Sequence, residues 1–400
     1  MISNKSKLAR NLMKMQKQFP DEYDFFPKTF VLPVEYTEFK IQFEKHARAM
    51  KGTYNQGETN YRALQNQTYI IKPENMCQGK GIFLVRDPDD VRPNDHVVAQ
   101  KYITNPLLVD DLKFDLRIYV LLYGVNPLRI FFFKDGLVRF ATEPYQKPKE
   151  ENIDNLFMHL TNYAINKNSD NFVQNNGTME GADEADDDGT HKRSLKSLWS
   201  TLRIMGYNVK KCKAEIKDIV VKTLITSQPS LCHLFRSCQP DDIENQLCFQ
   251  ILGFDVMLDA NCKPWLIEVN QSPSFKTESG LDSRIKQKLV SDTIQLLNLS
   301  WRRKSKIIHH LKQEMKKRML TGKKSKLTPE ERAQKVKEND ALRNEFELAN
   351  LGDFKLIYPS EEPEKQLLYE KLLEVSAEHW EEFTTGKRRK NNQTSATWQG

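Results

Sequence analysis

The chain has 400 residues and a formal net charge of +7, from 61 Lys and Arg against 54 Asp and Glu. Hydrophobic residues make up 38% of it, and no apolar run reaches the roughly 20 residues of a membrane-spanning helix, so we expect no span. With 21 Phe, 13 Tyr and 5 Trp the chain can pack a core, which excludes wholesale disorder.

Two patterns near the N-terminus predict helices. Residues 4–19 carry apolar side chains at helical spacing and end before Pro20, and a second helix is predicted over residues 37–50. The polar residues 51–67 then predict a linker. The opening residues lack the apolar core of a secretory signal, and the six cysteines lack zinc-like spacing. We therefore expect reduced thiols and a cytoplasmic protein.

Short β-branched and aromatic runs bounded by Gly, Pro and Asn predict the strands. They occupy residues 68–73, 81–85, 97–103, 114–123, 128–136, 249–259 and 264–270. Helical periodicity covers residues 194–228 and 281–299 and continues into the segment that follows. Antiparallel hairpins combined with runs of helix favour an α+β fold over a doubly wound parallel sheet.

The charge is unevenly distributed along the chain. The cationic segment, residues 301–326, contains eleven Lys and Arg and one acid, so its net charge is +10 and the rest of the chain is mildly acidic. Pairing at i,i+4 cannot neutralise so uniform a sign, which favours polyanion binding over a merely solvated helix. Residues 174–190 contain six acids and three glycines and predict a flexible, inserted acidic loop.

A first chemical motif follows the strand at 68–73. Lys72 ends that strand, and a loop containing Gln78, Gly79, Lys80 and Gly81 turns into the next one. Glycines let backbone N–H groups approach a phosphate, and two lysines supply compensating charge. A plain turn that requires positive φ explains the glycines about as well.

A second motif is a polar row on a strand. Because alternate residues of a strand share a face, Lys113, Asp115, Arg117 and Tyr119 lie on one side. A salt-bridge ladder on an exposed face is one explanation. The apolar residues that follow indicate a central strand, and a polar row on a central strand suggests a ligand cleft.

A third motif joins two carboxylates across a hairpin. If Leu258 pairs with Trp265, then Asp255 lies opposite Glu268, and Asn270 shares the Glu268 face. Facing carboxylates repel unless a cation bridges them, and this oxygen set suits Mg²⁺. The alternative is one protonated or solvent-facing carboxylate, and a bulge is expected to shift the register by one and break this pairing.

A lone His159 is more typical of a hydrogen-bonded core histidine than of a catalytic residue.

Together, the three motifs resemble the tubulin tyrosine ligase-like family, in particular its polyglutamylases, over roughly residues 8–300. The matching stretches are FFPKTFVLP (25–33), YIIKPENMCQGKGIFL (69–84), KFDLRIYVLLYGVNPLRIFFFKDGLVRFAT (113–142), MHLTNYAINK (158–167), ILGFDVMLD (251–259) and KPWLIEVNQSPSF (263–275).

The resemblance implies an ATP-grasp fold, with ATP held between two β-rich lobes and a basic helical extension after them. It implies ATP and Mg²⁺ as cofactors. The implied nucleotide-binding residues are Lys72, Gln78, Gly79, Lys80, Gly81, Gln100, Lys101, Tyr102, Ile103, Lys113, Asp115, Thr161 and Asn162. The implied catalytic residues are Arg139, Lys192 and Lys113, the first two binding the carboxylates of the incoming amino acid, and the implied metal ligands are Asp255, Glu268 and Asn270.

The resemblance also implies a reaction and its partners. ATP phosphorylates a glutamate carboxylate on a tubulin C-terminal tail, and the amino group of free L-glutamate attacks the acyl phosphate to form an amide. The cationic segment matches a helix with which the family docks on microtubules. We expect a monomer in the cytoplasm, at the cytoskeleton, cilium or basal body, with no nucleic-acid or membrane partner.

The resemblance predicts a division into domains. The chain begins where the N-terminal lobe of the family is already under way, so that lobe is expected to be shortened. The predicted parts are a truncated N-terminal lobe and linker (1–66), a central lobe (67–145), a C-terminal lobe that includes the acidic loop (146–300), a cationic helical segment (301–345) and a charged tail (346–400).

Alternatives remain open at this point. A catalytically weak microtubule-binding paralogue is one, and a ligase of the same fold that uses glycine or another acceptor is a second. Gln271 stands where close relatives often have His, which leaves chain initiation and elongation undecided. A nucleic-acid-binding protein ranks last, because that function leaves the Asp255, Glu268 and Asn270 set unexplained.

Overall fold

The computed structural model describes residues 2–53, 67–76, 78–175, 189–240, 242, 245–299, 301–321 and 328–386. Its helices are α1 (Lys5–Gln18), α2 (Tyr36–Thr53), α3 (Leu156–His159), α4 (Tyr163–Asn166), α5 (Leu195–Ile204), α6 (Val209–Ile225), α7 (Gln228–Cys238), α8 (Gly280–Leu296), α9 (Trp301–Thr321), α10 (Pro329–Ala349) and α11 (Pro363–Thr385). Its strands are β1 (Thr29–Val31), β2 (Tyr69–Pro73), β3 (Phe83–Val85), β4 (Val97–Lys101), β5 (Leu108–Val109), β6 (Leu112–Val125), β7 (Leu128–Phe140), β8 (Lys192–Ser194), β9 (Phe249–Leu258), β10 (Pro264–Asn270) and β11 (Phe354–Tyr358).

The strands form two antiparallel sheets. The smaller sheet has the order β1-β4-β2-β3, and the main path of the larger sheet is β10-β9-β6-β7-β11, with β5 paired to β6 and β8 paired to β7. Helices and separate antiparallel sheets agree with the α+β expectation. No helix within the described ranges is long and apolar enough to cross a bilayer.

The central strand β6 separates two apolar cores. Its even-numbered residues, such as Leu116 and Ile118, pack into the core beneath α1, α5, α6 and α11. Its odd-numbered residues Leu121 and Tyr123 pack into a second core beneath α8. Because both faces of β6 are buried, the second half of its sequence, residues 120–123, is apolar on both faces, and the expectation of a central strand is confirmed.

The smaller sheet packs around a cluster of aromatic rings. The Phe39 ring on α2 lies 5.7 Å from Phe30 on β1 and 5.2 Å from Tyr69 on β2. Edge-to-face contacts of this kind stabilise the packing beyond the contribution of apolar burial alone. The cluster therefore attaches α2 to the sheet that carries Lys72.

The elements predicted from periodicity are present with small shifts at their ends. The linker at 51–67 begins as the last turn of α2, and residues 54–66 lie outside the described residues. Most of the acidic loop, residues 176–188, also lies outside them. The division of the chain into domains stays a prediction.

The structure differs from the expected charged tail at residues 354–385. β11 pairs with β7, with Phe354 opposite Phe133, and so extends the larger sheet. In α11 the side chains of Tyr369 and Leu372 are buried in the core that also contains Leu116 and Ile118 of β6. The many Glu and Lys residues of α11 obscure its apolar face in the sequence, whereas in the structure α11 packs against α6 and α7.

Buried charges connect α10 to the larger sheet. The Glu347 carboxylate accepts a hydrogen bond from Arg343 Nε at 2.6 Å and pairs with Arg129. Arg343 also donates to the backbone carbonyls of Asn245, at 3.0 Å, and Tyr123. These side chains are almost fully buried, so each charge depends on its partners.

Replacing Arg343 by Met should lower the free energy of unfolding by about 3–5 kcal/mol, because the buried Glu347 charge loses a partner. Chemical denaturation measures this change. The matched control is Lys337→Met, which removes an exposed cation from the same helix and should change the value by no more than about 0.5 kcal/mol. Equal effects of the two substitutions would contradict a role for the buried pair.

Candidate active site

The β9–β10 hairpin sets two carboxylates opposite each other. Asp255 pairs with Glu268, as the sequence predicts. The assumed pairing of Leu258 with Trp265 is wrong, since Leu258 pairs with Pro264. A bulge between Leu266 and Glu268 inserts one residue and shifts the register by one. The facing carboxylates therefore depend on that bulge.

Asn270 connects the two carboxylates. Its Nδ2 atom lies 3.1 Å from Glu268 Oε1 and 3.3 Å from Asp255 Oδ2. Burial raises the pKa of Glu268, and the neighbouring Asp255 charge raises it further. Burial acts in the same direction on Asp255, but Arg117 and Arg139 outweigh it and hold the pKa of Asp255 well below its usual range. Asp255 thus keeps its negative charge although it is buried.

The polar row on β6 forms a buried ladder with its neighbours. Arg117 donates to Asp255 through Nε at 2.5 Å and through a terminal nitrogen at 3.0 Å. Arg139 on β7 reaches Asp255 at 2.8 Å and donates to Asp115 Oδ1 at 2.9 Å. The alternative of an exposed ladder is wrong, because β6 is central, Asp115 and Asp255 are buried, and the Arg117 and Arg139 side chains are only 14% and 12% exposed. The ladder itself is present, and it alternates in sign as Asp115, Arg139, Asp255 and Arg117.

Two lysines near this ladder are buried, and the hydrogen bonds they make within the described residues go to neutral oxygens. Lys72 Nζ donates to Gln100 Oε1 at 2.7 Å, and Lys113 Nζ donates to the Tyr102 hydroxyl at 2.7 Å and the His159 carbonyl at 2.8 Å. Burial lowers the pKa of Lys72 to about 8 and that of Lys113 to about 7. An arriving anion would therefore stabilise the protonated form of both amines.

The glycine loop approaches a second segment of the site. Gln78, Gly79 and Gly81 all have positive φ, at 61°, 80° and 67°. A Cβ on Gly79 would lie 2.5 Å from Ile165 Cδ1 and 3.2 Å from the Asn162 side chain. The turn explanation accounts for the φ values, and the close approach also requires a glycine. The loop therefore lies against the segment that carries Thr161 and Asn162.

Arg139 and Lys192, predicted to act on one substrate, are brought together. They are paired residues of β7 and β8. The Lys192 ammonium pairs with Asp282 and lies 4.6 Å from the centre of the Tyr163 ring. Of the residues predicted around the adenine slot, Gln100 and Tyr102 are buried and bound to the lysines, Lys101 is exposed and Ile103 is half-buried.

His159 is fully buried, and it bonds to the Tyr102 hydroxyl at 3.1 Å and to the Asn152 carbonyl at 3.0 Å. This agrees with a structural role. Burial lowers the pKa of His159 to about 4, and the nearby Lys113 lowers it as well, so the ring is neutral near pH 7.

Two residues at the site were given no role by the sequence analysis. Arg117 was placed only in the polar row of β6. Its position two residues from Asp115, on the same face of the strand, was the signal that could have assigned it to the site. Lys5, at the start of α1, donates to the Met76 carbonyl at 2.7 Å and so touches the glycine-loop region from a distant part of the chain. No local pattern links Lys5 to that loop, because the contact is tertiary.

Comparison with known proteins identifies the family to which the chain is similar. Residues 1–318 match the family model described as the tubulin-tyrosine ligase family. A protein of Tetrahymena thermophila named probable beta-tubulin polyglutamylase is 46% identical over 98% of this chain and 31% of its own length. Proteins named tubulin polyglutamylase, ttll6 of Danio rerio and TTLL13 of Homo sapiens, are each 38% identical over 97% of this chain and 46% and 44% of their own lengths.

The chain thus spans about a third to a half of the length of these relatives. The family model, however, covers most of the chain and includes every residue of the site described above. The chain therefore belongs to the tubulin-tyrosine ligase family.

Proposed function

We propose that this chain is the catalytic part of an ATP- and Mg²⁺-dependent ligase that adds glutamate to glutamate side chains or chains on tubulin C-terminal tails. The observation that carries the proposal is the buried pair of cations Lys72 and Lys113 beside the facing carboxylates Asp255 and Glu268. The names of the relatives supply the substrate. The fold is proposed to be an ATP-grasp fold, with the nucleotide between the two sheets.

The two sheets supply opposite sides of the proposed nucleotide site. Lys72 and Gln100 lie on the smaller sheet and Glu268 lies on the larger one, and all three line one small cavity of about 30 Å³. Lys113 adds a second cation from β6. Anionic phosphates would take the place of the neutral oxygens that these ammonium groups now contact, which supports a polyphosphate ligand. The glycine loop would approach the same phosphates with its backbone N–H groups.

The donor set fits a magnesium ion. Asp255 and Glu268 supply hard carboxylate oxygens, and the raised pKa of Glu268 reflects burial beside another negative charge. A half-turn of the Asn270 amide would present its oxygen in place of its nitrogen. Bound there, Mg²⁺ would neutralise phosphate charge and polarise a phosphoryl oxygen. Arg117 and Arg139 keep Asp255 ionised and ready to act as a ligand.

The reaction proposed here needs no covalent enzyme nucleophile. A tail carboxylate attacks the terminal phosphorus of ATP, ADP leaves, and an acyl phosphate forms. The amino group of free glutamate then attacks the acyl carbon, phosphate leaves, and an amide remains. Arg139 and Lys192 would bind the carboxylates of that glutamate, and fixed cations nearby would stabilise the tetrahedral oxyanion.

The cationic segment gives the proposed enzyme a way to find its substrate. Residues 301–321 form the helix α9, and its described side chains are exposed, including Lys312 and Lys316. Tubulin tails are acidic, so such a helix would attract a microtubule at long range and lose affinity in salt. We propose that the protein acts as a monomer on microtubules of the cytoskeleton, including those of cilia and basal bodies.

Purified protein should transfer labelled glutamate to microtubules when ATP and Mg²⁺ are present. Asp255→Asn and Glu268→Gln should each lower the rate about 100-fold or more, because the metal loses a carboxylate. Scintillation counting of the tubulin band measures the transfer. Asp24→Asn, which changes an exposed carboxylate paired with Lys263 of the same hairpin, should retain activity.

Three results would count against this account. Wild-type rates in both site variants would remove the metal assignment. Absence of transfer by the wild-type protein would remove the ligase assignment. Preferential transfer of glycine in a mixture of the two amino acids would change the substrate.

Nucleotide affinity should fall as pH rises. A bound polyphosphate raises the pKa of Lys113 from about 7. The contribution of Lys113 to nucleotide affinity is therefore complete below pH 7. Above pH 7 the affinity falls by up to about tenfold per pH unit, until the pKa of Lys113 in the bound state is reached. ADP titrations from pH 6 to 9 measure this. Lys113→Arg should remove the fall that begins near pH 7, because Arg stays charged, and leave the fall that Lys72 causes above about pH 8. Lys134→Arg at an exposed lysine should leave the profile unchanged.

Charge reversal in α9 should weaken microtubule binding. The double variant Lys312→Glu with Lys316→Glu should lose about tenfold or more in affinity at low salt and depend less steeply on salt. Co-sedimentation with microtubules measures both quantities. The matched control reverses Lys210 and Lys211, two exposed lysines at the start of α6 and outside the cationic segment, and a similar loss in that control would indicate non-specific attraction.

A further inference from the structure

One buried carboxylate behind the proposed amino-acid site contacts two lysines. Asp282, in the first turn of α8, is fully buried. Its Oδ2 atom pairs with Lys192 Nζ, and its Oδ1 atom pairs with Lys286 Nζ at 2.6 Å. Its backbone N–H donates to the Ser279 side chain at 3.2 Å, which fixes the start of the helix. The Ser279 hydroxyl also donates to Asp282 Oδ2 at 3.2 Å, so the carboxylate is contacted by Lys286 of its own helix and by the residue that caps that helix.

The two lysines are held to different degrees. Lys286 lies on α8 itself, one turn beyond Asp282, and its ammonium also donates to the Lys276 carbonyl. Lys192 comes from the short strand β8, and besides Asp282 its ammonium has the face of the Tyr163 ring, 4.6 Å from the ring centre. Asp282 is thus the charged group that ties Lys192 to α8.

The position of Lys192 matters because of its partner across the sheet. Lys192 is paired with Arg139 on β7, and Arg139 is itself fixed by Asp115 and Asp255. An amino-acid ligand with two carboxylates requires two cations at a defined separation. The Arg139 side is set by the buried ladder, so the separation depends on what holds Lys192.

We propose that Asp282 is a positioning residue that holds the Lys192 ammonium in place, and charged, for a carboxylate of the incoming amino acid. This inference rests on the proposed function. Besides packing on the second apolar core, α8 would then also support the amino-acid site.

The electrostatics agree with this geometry. Burial lowers the pKa of Lys192, Asp282 opposes that effect, Lys286 adds to it and Glu278 opposes it weakly. Without the Asp282 charge, two buried ammonium groups would face each other with reduced compensation. The pKa of Lys192 would then fall, and its contribution to carboxylate binding would be lost at a lower pH.

The test compares Asp282→Asn with Asp292→Asn. Asp292 is a matched control because it is a buried carboxylate of the same helix, paired with Lys288 at 2.9 Å and bonded to the backbone of Asp353 at 2.8 Å. Asp282→Asn should raise KM for glutamate about tenfold or more while KM for ATP changes less than about twofold. Asp292→Asn should leave both constants near wild type, and Asp282→Glu, which keeps the charge, should recover part of the loss.

A second measurement does not depend on catalysis. Pulse acylation followed by mass spectrometry reports the reactivity of the Lys192 amine as a function of pH. Asp282→Asn should shift the midpoint of that profile to lower pH, whereas Asp292→Asn should not. If wild-type protein transfers no glutamate, the proposed function fails, and the acylation profile still decides whether Asp282 controls Lys192. An unchanged profile, or an unchanged KM for glutamate in an active protein, would overturn the inference.

Discussion

The buried negative charge of Asp255 is the constraint on which the site depends. A carboxylate at this depth is stable as an ion only with cations beside it, and Arg117 and Arg139 provide them from two neighbouring strands. Arg139 in turn requires Asp115, and Asp255 raises the pKa of the facing Glu268. Because each charge depends on the next, the network fixes β6, β7, β9 and β10 relative to one another. The proposed metal and amino-acid sites are two ends of this single network.

A surplus of cations complements that network on the side of the smaller sheet. Lys72 and Lys113 are buried against neutral oxygens, and burial accordingly lowers the pKa of both. Such amines are stabilised when an anion arrives, which is the physical reason to propose a polyphosphate between the sheets. At the far end, Lys192 has its own buried counter-charge in Asp282. We therefore regard the site as a line of buried charges, and we propose that Lys72 and Lys113 bind the anionic groups of a substrate.

Much of this arrangement could be predicted from local patterns, and particular residues mark where the patterns stop. Alternation along β6 correctly put Asp115 and Arg117 on one face, because side chains of a strand alternate in any fold. The pairing of Asp255 with Glu268 was reached from a wrong register, since the bulge near Ile267 leaves no trace in the composition of the strand. β11 was missed, because five residues between charged helices resemble a loop until a partner strand is known.

The sequence by itself determined which residues carry charge, where most of the helices and long strands lie, and the resemblance that names the family. These follow from side-chain chemistry and from the fixed periods of the backbone, which act over a few residues. Only the tertiary structure decided that Lys5 reaches the glycine-loop region, that α10 is held by Arg343 and Glu347, and that Asp282 supports Lys192. Each of these contacts joins segments that are distant in sequence or depends on which side of a helix is buried, and burial is a property of the packed molecule as a whole.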